Sequence, residues 1–157
     1  MKKVRIGKEQ AIQRIRHYCA YQERAQQEVR DKLYELGMTK DEVEEIMADL
    51  IAKNFLNEER FATQFAGGHF RIKGWGKVKI QHALQQKRVS SYNIKIGLKA
   101  IDEDAYLKTL QELATKKWNS LKGVRGLGRM AKTQAFLHQR GFEPFLYQPI
   151  VQALYKV

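Results

Sequence analysis

The apolar stripe Val43, Ile46, Met47, Leu50 has helical spacing, and it returns twice. Shifted by 51 residues it becomes Ile94, Gly97, Leu98, Ile101, and after a further 53 it becomes Tyr147, Ile150, Val151, Leu154. The same shifts carry Leu33 to Leu84 to Leu137, and "LYELGM" to "LQQKRV" to "LHQRGF". A period of roughly 50 residues suits three short helices. Each unit reads helix, helix, tight turn, helix. The fold class that follows is all-α: three tandem three-helix repeats, about nine helices, stacked into an elongated, curved array. The expected boundaries are 1–56, an N-terminal tail plus repeat 1, then 57–102 for repeat 2 and 103–157 for repeat 3.

Local signals agree with helices. Thr39 and Glu42 form a capping-box pattern, followed by the stripe from Val43. Ala25, Val29, Leu33 and Leu36 make an earlier stripe that Gly37 closes. Leu107, Leu110, Ala114, Trp118 and Leu121 mark a longer helix. "KVKIQ" alternates like a strand, but Ala83 and Leu84 continue Ile80 at i+3 and i+4, so it reads as helix. Gly37, Arg88 and Gly141 occupy one equivalent turn position, followed by Met38, Val89 and Phe142. Glycine takes the left-handed cap conformation without steric cost, and arginine does not. Ser90 and Ser91 are placed to cap the helix after the middle turn. Pro144 suits a helix start, whereas Pro149 would kink or delay the last helix.

Charge is distributed unevenly. The chain of 157 residues carries +12 overall, yet residues 1–59 hold 11 Lys/Arg against 12 Asp/Glu, while residues 60–157 hold 18 against 5. No acid lies between Glu59 and Asp102, nor between Glu112 and Glu143. An unselected surface mixes both signs. Two acid-free stretches therefore point to polyanionic or acidic partners. The first basic set is Arg60, Arg71, Lys73, Lys77, Lys79, Lys87, Arg88, Lys95 and Lys99, with Trp75 between two glycines as a stacking platform or interface anchor. The second is Lys116, Lys117, Lys122, Arg125, Arg129 and Lys132, on a flexible loop between two helices. Gly123, Gly126 and Gly128 within it make no phosphate loop, because no Gly-Lys-Ser/Thr closes it and no strand precedes it.

Catalytic, cofactor and metal sites are not expected. His17, His69, His82 and His138 lack metal spacing, and no nucleophile–base set is present. Cys19, the single cysteine, excludes an internal disulfide and reads as a small buried hydrophobe. No stretch of 18 apolar residues implies a membrane span, and "MKKVRIGKEQ" has no apolar region behind it, so it does not read as a leader. The expected setting is the cytoplasm.

The stretch "NFLNEERFATQFAGGHFRIKGWGKVKIQHALQQKRV" resembles the central region of the RecX family, regulators of the RecA recombinase. The matching residues are Leu56, Glu58, Glu59, Arg60, Phe61, Ala62, Arg71, Lys73, Gly74, Lys79, Ile80, Leu84 and Lys87. "EVRDKLYELGMTKDEVEEIMADLIAKNFL" and "KTQAFLHQRGFEPFLYQPIVQAL" resemble the first and last repeats of that family. Three departures stand out: Asn57 in place of an aspartate, Arg88 in place of a glycine, and Gly67–Gly68 inside a helix at about 1 kcal/mol each. The resemblance implies a non-enzymatic protein that binds along the groove of the RecA–single-stranded-DNA filament, and a monomer is the expected state. It would inhibit strand exchange, ATP hydrolysis and coprotease activity, with contacts to the DNA in the filament and, as in some members of the family, to free DNA. The alternative is direct DNA binding of helix-turn-helix type. That reading needs Arg, Asn or Gln near the start of an exposed helix; residues 41–50 are acidic there, and Asn93, Lys95 and Lys99 leave the second unit ambiguous. A helical scaffold with no DNA link would show no salt-sensitive DNA binding.

Overall fold

The structure is a computed structural model and describes residues 5–156. The start of the tail assigned to repeat 1, on which the leader reading partly rests, and the last residue of repeat 3 lie outside the described residues. Among the described residues there are nine helices and no strand: α1 Lys8–Tyr21, α2 Gln26–Glu35, α3 Lys40–Ala52, α4 Glu58–Lys73, α5 Lys77–Gln86, α6 Ser91–Lys99, α7 Glu103–Ser120, α8 Gly126–Gln139 and α9 Pro144–Lys156. The described chain packs into two compact units. Unit 1 holds residues 5–64 and 84–96; unit 2 holds 65–83 and 97–156.

The helix starts follow the local chemistry. Thr39 Oγ1 accepts the Glu42 N–H at 3.3 Å, and the Glu42 carboxylate accepts the Thr39 N–H at 3.0 Å. Asn57 Oδ1 accepts the Arg60 N–H at 2.9 Å, so the amide that departs from the family pattern still caps α4. Ser90 Oγ does the same for α6, accepting from Asn93 at 3.2 Å. Asp102 starts α7 by accepting from Ala105 at 2.9 Å, a cap the repeat pattern did not single out. Helix α9 begins at Pro144 and runs through Pro149, so Pro149 does not delay it.

In unit 1 the core is built by Ala11, Ile15 and Cys19 of α1, Val29 and Leu33 of α2, and Val43, Ile46, Met47 and Leu50 of α3, all buried. Each large side chain buried this way stabilises by roughly 1.5–3 kcal/mol. Burial also pushes the Cys19 thiol up to about 11, which keeps it protonated and inert. In unit 2 the core holds Phe70, Tyr106 and Phe142, their rings 5.3–5.5 Å apart in tilted pairs, beside Leu110, Ala114, Leu137 and Val151. The inward face of α7 is therefore Tyr106, Leu110 and Ala114. Leu107, one position round the helix from Tyr106, is exposed: the larger ring takes the interior.

The repeated turn is the same structure three times. Gly37, Arg88 and Gly141 have φ of 89°, 61° and 96°. Their N–H groups donate to Tyr34, Gln85 and His138 at 2.9–3.0 Å, and the next residues, Met38, Val89 and Phe142, donate to Leu33, Leu84 and Leu137 at 3.1 Å. Met38, Val89 and Phe142 are all buried. Arg88 thus accepts the left-handed conformation rather than ending its helix another way. Its surroundings explain why it can. A Cβ on Gly37 would lie 2.6 Å from Arg5 Cα, and one on Gly141 would lie 2.3 Å from Lys79 Cβ. Arg88 is exposed, so its Cβ costs only the local strain.

The candidate interface in unit 2

The basic junction between α4 and α5 is held by the turn between α8 and α9 and by Tyr106 of α7. The Arg140 guanidinium donates to Lys73 O, the end of α4, at 2.6 Å. Its main-chain carbonyl accepts the Gly76 N–H at 2.8 Å, and Gly141 O accepts the Val78 N–H at 2.9 Å. Gly76 lies so close to this turn that a Cβ on it would be 2.3 Å from the Gly141 carbonyl carbon. The Lys77 N–H donates to the Tyr106 hydroxyl at 2.9 Å, and that hydroxyl donates to the Glu143 carboxylate. Burial, then the bond to Glu143, holds the Tyr106 phenol well above its ordinary value, so it is a permanent donor.

On this base the cations lie over aromatic rings. The ammonium groups of Lys73 and Lys79 sit 5.3 and 4.6 Å from the Trp75 ring centre, and that of Lys77 sits 4.9 Å from Tyr106. Trp75 is half-buried, with the His69 ring 4.7 Å away and His69 stacked on Phe65 at 3.8 Å. Arg71 is exposed and folds back over Gly67, where a Cβ would meet its guanidinium at 2.7 Å. Gly68 faces open space. The paired glycines are therefore accommodated inside α4, one of them as the floor under an arginine.

Lys117 of the second basic set shares a ring with Arg140, the residue that holds the α4–α5 junction. Lys117 and Arg140 lie 5.1 and 5.2 Å from the Phe136 centre, so Phe136 and Arg140 connect the end of α7 to the α4–α5 junction. Arg129 is a structural cation: its guanidinium donates twice to Trp118 O, at 3.0 and 2.7 Å, and covers the Trp118 ring at 4.2 Å. Lys116, Lys122, Arg125 and Lys132 are exposed. The flexible loop expected here is short, because Lys116 and Lys117 lie on α7, and Arg129 and Lys132 on α8.

Four members of the first basic set, Arg60, Lys87, Arg88 and Lys95, belong to unit 1. Arg60 pairs with the Glu23 carboxylate and donates to Asn54, so its charge is neutralised within the fold. Lys87 lies 3.6 Å from Glu28. Arg88 is exposed on its turn. Lys95 and Lys99 are exposed on α6. Arg140, Tyr106, Phe136 and Glu143 were not singled out by sequence, although the repeat carried one signal: Arg140 stands where repeat 1 has the buried Leu36.

The contrast in charge is sharp. Described residues of unit 1 include 13 Lys/Arg and 12 Asp/Glu; those of unit 2 include 14 and 5. All eight ion pairs among the described residues lie in unit 1. Among the described residues no cluster of His, Cys, Asp and Glu could hold a metal ion, and no helix is long and apolar enough to cross a membrane.

Known proteins share this architecture. Models of the first, second and third three-helix domains of RecX match residues 11–50, 57–98 and 103–146. A regulatory protein RecX from Prosthecochloris aestuarii is 30% identical over 133 residues, covering 85% of each chain. One from Clostridium perfringens is 34% identical over 99 residues, 63% of this chain but only 46% of the relative, so the match spans about half of that protein's length. The crystal structure of RecX from Lactobacillus salivarius superposes with a TM-score of 0.87 over 96% of this chain and 97% of that one, at 22% identity, which speaks to the fold. The chain belongs to the RecX family of regulatory proteins.

Proposed function

We propose that this protein regulates the RecA recombinase by binding along the groove of the RecA–single-stranded-DNA filament. There it blocks strand exchange, ATP hydrolysis and coprotease activity by occlusion. RecA enters this reading through the family resemblance of the sequence. The observation that carries the binding mode is the charge state of unit 2: 14 cations against 5 acids, with no ion pair among its described residues. Cations resting on aromatic rings keep their full charge. They are available to phosphates and to acidic side chains, and phosphate contacts bring strong salt dependence. The proposed working residues are Arg71, Lys73, Trp75, Lys77 and Lys79, with Lys116, Lys117, Lys122, Arg125 and Lys132 extending the surface and Arg88, Lys95 and Lys99 contributing from elsewhere. The proposal takes the protein as a cytoplasmic monomer of three repeats bounded at 1–56, 57–102 and 103–157.

Direct base reading by a helix-turn-helix has less support. Asn93, the base-reading side chain near the start of α6, gives its amide to the Glu58 carboxylate at 2.9 Å. The first turn of α3 is acidic, and α9 begins with Pro144 and Phe145. The test is RecA ATPase on single-stranded DNA, titrated with the wild type and with a Lys73/Lys77/Lys79→Glu variant. Inhibition by the wild type that weakens in the variant supports the reading. A wild type without effect on RecA that still binds DNA tightly overturns it.

A further inference from the structure

A shift of 51 residues carries Ala25, the residue before α2, to Gly76, the residue before α5, and it carries Glu28 to Lys79. In α2 the cap is local. The Glu28 carboxylate accepts the Ala25 N–H at 3.0 Å, and an acid in the first turn suits the helix dipole. In α5 the same position holds a lysine, which accepts nothing, and Gly76 has no side chain to cap with. Lys77 is a second cation in that turn, where the dipole disfavours both. Left to its own residues, the start of α5 has neither a cap nor a favourable charge.

The missing cap comes from elsewhere in unit 2. The first N–H groups of a helix have no partner within it. Here Arg140 O accepts the Gly76 N–H at 2.8 Å, the Tyr106 hydroxyl accepts the Lys77 N–H at 2.9 Å, and Gly141 O accepts the Val78 N–H at 2.9 Å. Glu143 accepts the Tyr106 hydroxyl proton, which leaves the oxygen lone pairs for Lys77. The acid absent from α5 is thus supplied at one remove. With these donors met from outside the helix, position 79 is free to be a lysine, and the ammonium groups of Lys77 and Lys79 lie over Tyr106 and Trp75. We infer that the α8–α9 turn and Tyr106 together cap α5, and that the Tyr106 hydroxyl is a positioning group for Lys77 and Lys79. It aims the two cations by fixing the helix start, and it touches no partner itself, since Tyr106 is buried. The inference rests on the function proposed above and adds what holds that basic surface in shape.

The test uses the full chain as wild type, Tyr106→Phe and Leu110→Val. Tyr106→Phe removes the hydroxyl and keeps the ring between Phe70 and Phe142. Leu110→Val loosens the same core one turn along α7 without touching the cap. In Tyr106→Phe the Lys77 amide should exchange about tenfold faster, because its N–H has lost its acceptor. Binding to the RecA–oligonucleotide filament should weaken by about tenfold, and the slope of log affinity against log salt should become shallower by about one. Leu110→Val should lower the thermal midpoint and keep the wild-type slope. An unchanged Lys77 amide in Tyr106→Phe means that the hydroxyl is no cap and overturns the inference. A faster amide with wild-type affinity and slope overturns it too, as does a Leu110→Val slope that falls as far; in each case the proposed function stands. A wild type that ignores the filament overturns the proposed function and the positioning together.

Discussion

In unit 1, five cations converge on one acidic helix: Arg5 on Glu42, Lys8 on Glu45, Arg30 on Glu44, and both Arg16 and Lys53 on Asp49, all carboxylates of α3. Unit 1 also has cations over rings, Arg16 on Phe55 and Arg24 and Lys32 on Tyr18, but in unit 2 Lys73, Lys77, Lys79, Lys117, Arg129 and Arg140 lie over rings with no ion pair among the described residues. Both arrangements tie down long side chains. They differ in what is left outside. An ion pair cancels its own field, and at an exposed site it stabilises by only about 0–1 kcal/mol. A cation on a ring gains a similar amount and cancels nothing. Helices of the same kind thus neutralise charge in one unit and display it in the other.

The largest expected effect tests whether the display depends on the docked turn. Gly141→Ala adds a Cβ 2.3 Å from Lys79 Cβ at a φ of 96°. Overpacking and left-handed strain together should cost about 3 kcal/mol, read by urea unfolding, and binding should suffer because Lys79 is displaced. Gly37→Ala should cost a similar amount through Arg5 while leaving binding by the folded protein unchanged.

Next is charge reversal. Lys73/Lys77/Lys79→Glu should weaken filament binding by about a hundredfold and flatten its salt dependence. Lys8/Arg16/Arg30→Glu should change it by less than about threefold, since those cations are already paired. Equal losses from the two variants would erase the distinction between the units.

A smaller effect sits at the open turn. Arg88→Gly relieves a left-handed non-glycine residue with no neighbouring backbone to collide with, and should stabilise by about 1 kcal/mol. A thermal midpoint that rises by about 2–4 °C would confirm the strain; an unchanged one would remove it.

Hydrogen bonds from Arg5 and from the Thr39 N–H hold the Glu42 carboxyl down at about 2, and those from Lys53 and then Arg16 lower Asp49. Folded values below the unfolded ones contribute stability that is present above the unfolded carboxylate range. It is lost as pH falls through that range toward about 2. Amides of unit 1 should therefore lose exchange protection in acid ahead of those in unit 2, and Glu42→Gln should narrow the gap slightly.

Much of the fold was legible because helical periodicity is a local property. The stripe at Val43, the capping pair Thr39–Glu42, the glycine at Gly37 and the start at Pro144 each depend on neighbours within a few residues. The candidate site was legible only as a sign of charge. Arg60 and Lys79 look alike in sequence, yet Glu23 neutralises the first and Trp75 merely supports the second. Arg129 belonged to the second basic set and proved to be committed to Trp118.

What the sequence alone determined is the helical class, the three-fold repeat, the turn positions and the concentration of charge, since all of these follow from spacing along one chain. Tertiary structure decided which cations are free. That choice depends on contacts such as Arg140 with Lys73 and Tyr106 with Lys77, between residues 67 and 29 positions apart, and no local pattern encodes them. It also decided where glycine is indispensable: a left-handed φ tolerates Arg88 in the open, but at Gly141 another backbone occupies the space where a Cβ would go.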